Sequence, residues 1–250
     1  MSISLSDCTW PSVPERYLFA LKEAIAFVLA EFPEAVGIVA SGTIVRGRPD
    51  PSSDLDIYVI QLAGFRQRIQ AYFRGVPAEI FVNPPVAIER YFHDEERDSR
   101  PLTAHMLATG HLIAATDPIT TVIVEKARAQ LARQPTIPAD LTQSRYMLAT
   151  LLEDGVDVSG RDKLTSRMLL SLAVERLVRH AFVKAGRFQP RAKDLLKDLD
   201  SLDPEMARLA RQFYRSITLR KQLRTANAIA DRSIGARGFF EWKSGKEAVS

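Results

Sequence analysis

The chain has 250 residues, of which 46% are hydrophobic and 26% charged, so its composition excludes a fibrous or largely disordered protein. The formal net charge of +4 is modest for this length and does not by itself indicate a nucleic-acid-binding protein. The single cysteine, Cys8, excludes an internal disulfide, and the sequence shows neither a secretory leader nor a membrane-length apolar run, so we expect a cytoplasmic protein without a membrane partner.

The N-terminal half begins with a pattern of helix, strand, turn and strand. Between residues 14 and 32, Leu18, Leu21 and Ile25 recur at helical spacing and predict an amphipathic helix. The short apolar run over 35–40 predicts a buried strand that leads into a turn at Gly42. After a loop rich in Gly, Pro, Asp and Ser, residues 54–61 predict a second strand.

The rest of this half continues to alternate helices with strands. The sequence predicts a short basic helix over 65–73, a strand over 76–82, helices over 85–92 and 102–109, an edge strand over 111–115 and a helix over 120–133. This order is typical of an α/β or α+β domain that contains a small mixed sheet with flanking helices.

The C-terminal half is predicted to be helical throughout. Its helices span residues 141–152, 162–185, 191–198 and 204–224 or beyond, and residues 134–139, with two prolines, form the best linker candidate. We therefore expect a catalytic domain over 1–134 and an all-helical bundle domain over 135–250.

Three carboxylates are the most informative feature of the sequence. Side chains alternate between the two faces of a strand, so Asp54 and Asp56 point the same way about 7 Å apart, while Leu55 points into the core. Glu79, inside a second apolar run, adds a third acid if the two strands pair about 4.8 Å apart. Because clustered anions are costly without cations, the pattern predicts a metal site.

Phosphate-binding candidates precede these acids. Gly42 allows the backbone to approach a phosphate closely, Thr43 offers a hydroxyl and an amide, and Arg46 lies nearby in the sequence. Two Mg²⁺ ions about 3.5–4 Å apart are expected, with Asp54 and Asp56 bridging them and Glu79 completing the shell of one ion.

The segment Gly42-Thr43, Arg46-Gly47 and Ser53-Asp54-x-Asp56 resembles the polymerase-β-like nucleotidyltransferase superfamily. Members commonly have Gly-Ser, Arg-Gly and Ser-Asp-x-Asp at these spacings, so Thr43 stands where serine is usual. The resemblance implies a nucleotidyltransferase fold, nucleotide binding by Gly42, Thr43, Arg46 and Ser53, and metal binding by the three acids.

The succession of an α/β domain and a helical domain further resembles the aminoglycoside nucleotidyltransferases. That resemblance implies transfer of a nucleoside monophosphate, AMP if the donor is ATP, to a hydroxyl of a small molecule, with pyrophosphate leaving. It also implies an acidic base in the helical domain, for which Glu153 is the candidate, and Arg145, Lys163 and Arg167 are further candidates to contact the triphosphate. A homodimer is left open, and nucleic acid is not expected as a partner.

Other functions are left open by the sequence. The acceptor could instead be a protein or an RNA, or the chain could be a nucleotide sensor without turnover. It could also be a regulatory protein of the toxin-antitoxin type, whose helical domain resembles a HEPN nuclease; that signature has four to six residues between an arginine and a histidine, whereas only three residues separate Arg176 from His180. Basic residues from Arg208 to Arg224 could form an anion-binding surface.

Overall fold

A computed structural model of the protein describes residues 3–245 and forms two compact units. The first unit ends at Arg133 and the second begins at Gln134, inside the segment that the sequence suggests as a linker. Buried apolar side chains form two clusters in the first unit and one in the second. Among the described residues, no helix is both long and apolar enough to cross a membrane.

The first unit contains five strands and five helices among its described residues. In chain order they are α1 (Glu15–Glu31), β1 (Ala35–Ser41), α2 (Gly42–Val45), β2 (Leu55–Gln61), β3 (Gln67–Phe73), β4 (Val76–Asn83), α3 (Pro85–Arg97), α4 (Leu102–Thr109), β5 (His111–Ala115) and α5 (Pro118–Ala132), preceded by a 3₁₀ turn at Leu5–Asp7.

The five strands form one mixed sheet in the order β3-β4-β2-β1-β5. Strand β2 lies in the centre, antiparallel to β1 and parallel to β4. The expected edge position of β5 is confirmed, since it pairs with β1 at the end of the sheet. The mixed sheet with flanking helices agrees with the predicted fold class.

Alternation along the strands separates two cores, one on each face of the sheet. Ile57 and Val59 of β2 point to the face covered by α1, whereas Tyr58 and Ile60 point to the face covered by α3, α4 and α5. Leu55 is buried on the α1 face, as the alternation predicts. Asp56 has the same parity as Tyr58 and therefore lies on the opposite face, at the end of the strand.

The predicted helix over 65–73 is wrong, because this segment is the edge strand β3. Ile69 and Ala71 pack on the α1 core at a period of two, and a two-residue turn at Arg74 and Gly75, both with positive φ, connects β3 to β4. Such turns match the twist of a β-hairpin. Cross-strand pairing with β4 therefore overrides the local helical propensity of a basic segment.

The second unit is helical, as predicted. Its helices are α6 (Thr142–Asp157), α7 (Lys163–Lys184), α8 (Leu195–Leu202), α9 (Pro204–Arg215) and α10 (Leu219–Ser233), with a 3₁₀ turn at Ala192–Asp194 before α8. The single helix predicted from residue 204 onward is wrong. It is divided into α9 and α10, because Ser216 and Thr218 adopt extended backbone angles.

His180 is an ionisable side chain inside the helical core, with 5% of its surface exposed. Burial is the main reason that the pKa of His180 falls from its ordinary value of 6.5 to about 4, and the neighbouring charges of Lys184 and Arg145 lower it further. Nδ1 of its ring lies 3.4 Å from the Ser144 hydroxyl. His180 is therefore neutral in the folded protein at neutral pH.

We predict that His180 makes the protein less stable in mild acid. The unfolded chain takes up a proton on this histidine as the pH falls through 6.5, whereas the folded protein does so only near pH 4, so the contribution is present above pH 6.5 and is lost between these values. The loss should be about 3 kcal/mol of unfolding free energy by pH 4. Urea unfolding of the full chain between pH 4.5 and 7.5 measures it.

His180→Gln should flatten this pH dependence, and His93→Gln, at an exposed position, is the matched control. A slope that is the same in wild type and His180→Gln would contradict the prediction.

Candidate functional site

Three carboxylates converge at one end of the central strands. One oxygen from each of Asp54, Asp56 and Glu79 lies within 4.8 Å of the others, and all three residues are half-buried. Asp54 directly precedes β2, Asp56 is the second residue of β2, and Glu79 lies within β4. The structure thus brings together the three acids that the sequence singles out.

The register of the sheet explains this convergence. Parallel pairing of β2 with β4 places Asp56 directly beside Glu79, while the antiparallel pairing of β1 with β2 places Ser41 on the other side of Asp56. The residue after Ser41 is Gly42, so the turn that follows β1 begins next to the acids. Neighbouring apolar residues of β2 and β4 are buried in the two cores and fix this register.

Gly42 is required where it stands for two reasons. Its φ of +92° belongs to the left-handed region that favours glycine, and a Cβ at this position would lie 2.6 Å from Oδ2 of Asp56. The glycine therefore lets the backbone of the turn approach the Asp56 carboxylate, and any side chain here would push that carboxylate away.

A hydrogen-bond network holds the loop between β1 and β2. The hydroxyls of Thr43 and Ser53 are 2.7 Å apart, and the backbone N–H of Asp50 donates to the Ser53 Oγ at 2.7 Å. The backbone N–H of Arg48 donates to the carbonyl of Thr43 at 2.9 Å. Thr43 and Ser53, ten positions apart in the sequence, are thereby brought side by side, Thr43 directly after Gly42 and Ser53 directly before Asp54.

Arg46 follows α2, and its Nη1 lies 3.4 Å from the hydroxyl of Thr109 at the end of α4. That hydroxyl in turn donates to the carbonyl of His105 at 2.7 Å. The contact ties the guanidinium of Arg46 to the helix beside β1 and leaves it in the same loop region as Thr43.

The residues at this site suit a hard divalent cation. The cluster supplies only carboxylate oxygens, the ligand type that Mg²⁺ and Ca²⁺ prefer, and separations within 4.8 Å allow one or two ions to be shared among them. The close approach of Gly42 to Asp56 adds a backbone cradle that a Cβ would fill. Both observations agree with the predicted metal site.

The structure also shows two partners of Glu79 that the sequence did not reveal. Arg68 Nε donates to Glu79 Oε1 at 2.5 Å, Arg68 Nη2 contacts the same oxygen, and Gln70 Nε2 donates to it at 3.0 Å. Both residues belong to β3, the segment predicted as a helix. The signal that could have found them is the two-residue turn at Arg74-Gly75 between two runs of alternating polarity.

Glu95 of α3 is a partly buried ionisable group on this face of the sheet. Burial is the main cause that raises the pKa of its carboxyl, and hydrogen bonds from Thr103 and Ala104 oppose the rise. The backbone N–H of Thr103 donates to Glu95 at 2.8 and 2.9 Å. Glu95 therefore satisfies the first amides of α4 and has a structural role.

The remaining predicted site residues belong to the second unit. Glu153 lies within α6, which continues through Gly155 to Asp157 instead of ending near Glu153. Arg145 donates to the carbonyl of Ile234 at 2.9 Å, and Arg167 donates to that of Ile217 at 2.5 Å. Contacts within the second unit thus account for both arginines, and the catalytic role of Glu153 stays a prediction.

Two further features of the second unit bear on the alternatives. Burial of His180 counts against the nuclease alternative, since a catalytic histidine must reach its substrate. In the basic segment, Arg208 pairs with Glu205 and Arg211 with Asp200, so part of the predicted anion-binding surface is neutralised by acidic neighbours.

Comparisons with known proteins find a solved structure with a similar fold. No protein-family model matches the sequence, and no curated protein does. Among solved structures, the chain is similar to a nucleotidyltransferase-like protein from Exiguobacterium sibiricum 255-15, with a TM-score of 0.54 and 15% identity over 86% of this chain and 74% of that one. The fold is nucleotidyltransferase-like. At this identity the likeness concerns the fold alone. In this chain Asp54 directly precedes β2, Asp56 lies in β2 and Glu79 lies in the neighbouring strand β4.

We predict that Gly42→Ala damages the acidic cluster whereas Gly47→Ala does not. Both glycines have positive φ, so both substitutions should cost about 1 kcal/mol of stability through backbone strain. At Gly42 the added Cβ collides with Asp56. At Gly47 an added Cβ would have no neighbouring atom within 4 Å. Gly42→Ala should therefore also weaken Mn²⁺ binding at least tenfold, as measured by electron paramagnetic resonance.

Equal Mn²⁺ affinities in the two variants would show that the contact between Gly42 and Asp56 does not control the cluster.

Proposed function

We propose that the protein is a metal-dependent nucleotidyltransferase, which transfers a nucleoside monophosphate from an NTP, ATP in the simplest case, to a hydroxyl of a small molecule and releases pyrophosphate. The observation that carries this proposal is the convergence of Asp54, Asp56 and Glu79 beside the Gly42 turn in a nucleotidyltransferase-like fold. An acidic cluster alone is common on protein surfaces. Its position next to a glycine turn with two adjoining hydroxyls supports nucleotide chemistry.

Asp54, Asp56 and Glu79 are the proposed ligands of Mg²⁺. When bound, two such ions would neutralise phosphate charge and make the acceptor hydroxyl a better nucleophile. When no substrate is bound, the three carboxylates keep this end of the sheet negatively charged. This charge favours the binding of cations over the binding of phosphate groups that carry no metal ion.

The β1–β2 loop is the proposed triphosphate-binding segment. Gly42 leaves space for the backbone beside Asp56, and Thr43 and Ser53 present two hydroxyls that are already 2.7 Å apart. Hydroxyls fixed in advance lose little freedom when they donate to phosphate oxygens. Arg46, in the same loop, supplies a permanent positive charge for the polyphosphate.

Acceptor binding is assigned to the helical unit, residues 135–250, on the basis of the resemblance to two-domain nucleotidyltransferases. Glu153 is the proposed general base that would take the proton of the acceptor hydroxyl. Its carboxyl group packs near Gly238, where a Cβ would lie 3.3 Å from Cδ of Glu153.

We predict that Asp56→Asn abolishes nucleotidyl transfer without unfolding the protein. Loss of one carboxylate removes charge from the metal site, so the rate should fall at least a thousandfold, while the unfolding free energy stays the same or rises because three clustered anions become two. The assay uses purified protein, Mg²⁺, labelled ATP and a panel of small hydroxyl compounds, and it follows pyrophosphate and labelled product.

Glu23→Gln is the matched control. It removes a carboxylate of the same unit, and this carboxylate pairs with Arg74 and does not belong to the cluster. EDTA should stop the wild-type reaction. Full activity in both Asp54→Asn and Asp56→Asn would rule out the assigned metal ligands, and absence of metal-dependent nucleotide binding by the wild type would rule out the proposed function.

A further inference from the structure

Glu79 differs from the other two acids because a cation of the chain itself already holds it. Two nitrogens of Arg68 contact Oε1, and the amide of Gln70 donates to the same atom. The Glu79 side chain is 13% exposed, whereas that of Arg68 is 63% exposed. A largely exposed arginine therefore covers a largely buried carboxylate.

The arginine is placed there by the pairing of β3 with β4. Gln70 lies opposite Glu79 and Arg68 lies opposite Phe81, whose ring centroid is 5.0 Å from Arg68 Cζ. The guanidinium thus reaches diagonally to Glu79 across the aromatic ring of its own partner residue. Because β3 is the edge strand of the sheet, no other strand among residues 3–245 confines the arginine on its outer side.

We propose that Arg68 is the built-in counter-cation of the third carboxylate, and that metal binding by Glu79 requires the guanidinium to withdraw. This inference rests on the proposed function, which makes Glu79 a metal ligand. Arginine stays protonated at any physiological pH, so its charge repels a divalent cation at the same carboxylate. Arg68 accordingly lowers the metal affinity of the cluster without being a metal ligand itself.

Arg68 has two opposing effects on metal binding by Glu79. As a neighbour it orients Glu79 for the metal, and as a cation it competes with the metal. The orienting effect is small, because an exposed arginine contributes little through a single ion pair and Gln70 still donates to Oε1 when the arginine is removed. Repulsion between a single and a double positive charge a few ångströms apart is larger, so competition dominates.

The strand order also limits what Arg68 can contact. Between β3 and β1 lie β4 and β2, so the backbone of Arg68 is about 14 Å, three strand spacings, from the strand that leads into the Gly42 turn. The proposed triphosphate segment is therefore on the opposite side of the acids. Arg68 should influence metal binding without contributing to nucleotide phosphate binding.

Arg68→Gln tests this role with Mn²⁺ alone as the probe. The variant should bind Mn²⁺ about three- to tenfold more tightly than the wild type in paramagnetic titrations, because the competing charge is gone. For the same reason a fixed Mg²⁺ concentration should raise its melting temperature more than that of the wild type. Arg68→Lys keeps the charge and should have an affinity close to that of the wild type.

Arg74→Gln is the matched control, because Arg74 follows the same strand and pairs with Glu23 away from the cluster. Its Mn²⁺ affinity should stay within twofold of the wild type. Binding of a non-hydrolysable ATP analogue with saturating Mg²⁺ should also stay within twofold in Arg68→Gln.

The outcomes separate the two proposals. Unchanged or weaker Mn²⁺ binding by Arg68→Gln, or nucleotide binding weakened more than fivefold, would overturn the counter-cation role of Arg68. No saturable Mn²⁺ binding in the wild type and in Arg68→Gln would instead contradict the proposed function and, with it, the inference that rests on it.

Discussion

Parallel pairing of β2 with β4 is the constraint on which the candidate site depends. It fixes Asp56 beside Glu79, and the pairing of β1 with β2 fixes the Gly42 turn on the other side of Asp56. Because side chains alternate in a strand, a slip of one residue would turn Glu79 toward the α1 core and separate the acids. The buried side chains of β2 and β4 on both faces of the sheet prevent such a slip. The packing that stabilises the core therefore also sets the geometry of the site.

The cluster combines a costly arrangement of charge with several compensating features. Three carboxylates within 4.8 Å repel one another, and a protein maintains them only where cations or hydrogen-bond donors offset the repulsion. Arg68 and Gln70 do this at Glu79. On the other side, the absence of a side chain at Gly42 lets the turn approach Asp56, and the hydroxyls of Thr43 and Ser53 lie 2.7 Å apart. Local arrangements of this kind, which cost stability, are typical of binding and catalytic sites.

Much of the fold was accessible from local patterns, and the failures have specific causes. The helix α1, the strands β1, β2, β4 and β5 and the helical second unit follow from apolar periodicity, which reports directly on burial. For the edge strand β3 the local pattern predicts a helix, because its outer residues, such as Arg68 and Gln70, are exposed and its short alternation of polar and apolar residues is weak. Pairing with β4 decides its conformation. The break between α9 and α10 escaped prediction because neither glycine nor proline marks Ser216 to Thr218.

The sequence by itself determined the candidate residues: Gly42, Thr43, Ser53, Asp54 and Asp56 lie close together in the chain, so their spacing and chemical types suffice to suggest a nucleotide and metal site. The tertiary structure decided what depends on contacts between distant segments. The register of Glu79 against Asp56, the 2.6 Å limit at Gly42 and the coverage of Glu79 by Arg68 all arise from strand pairing, which local sequence patterns do not encode. Residues distant in sequence become neighbours only when the sheet forms, and their charges act on one another only then.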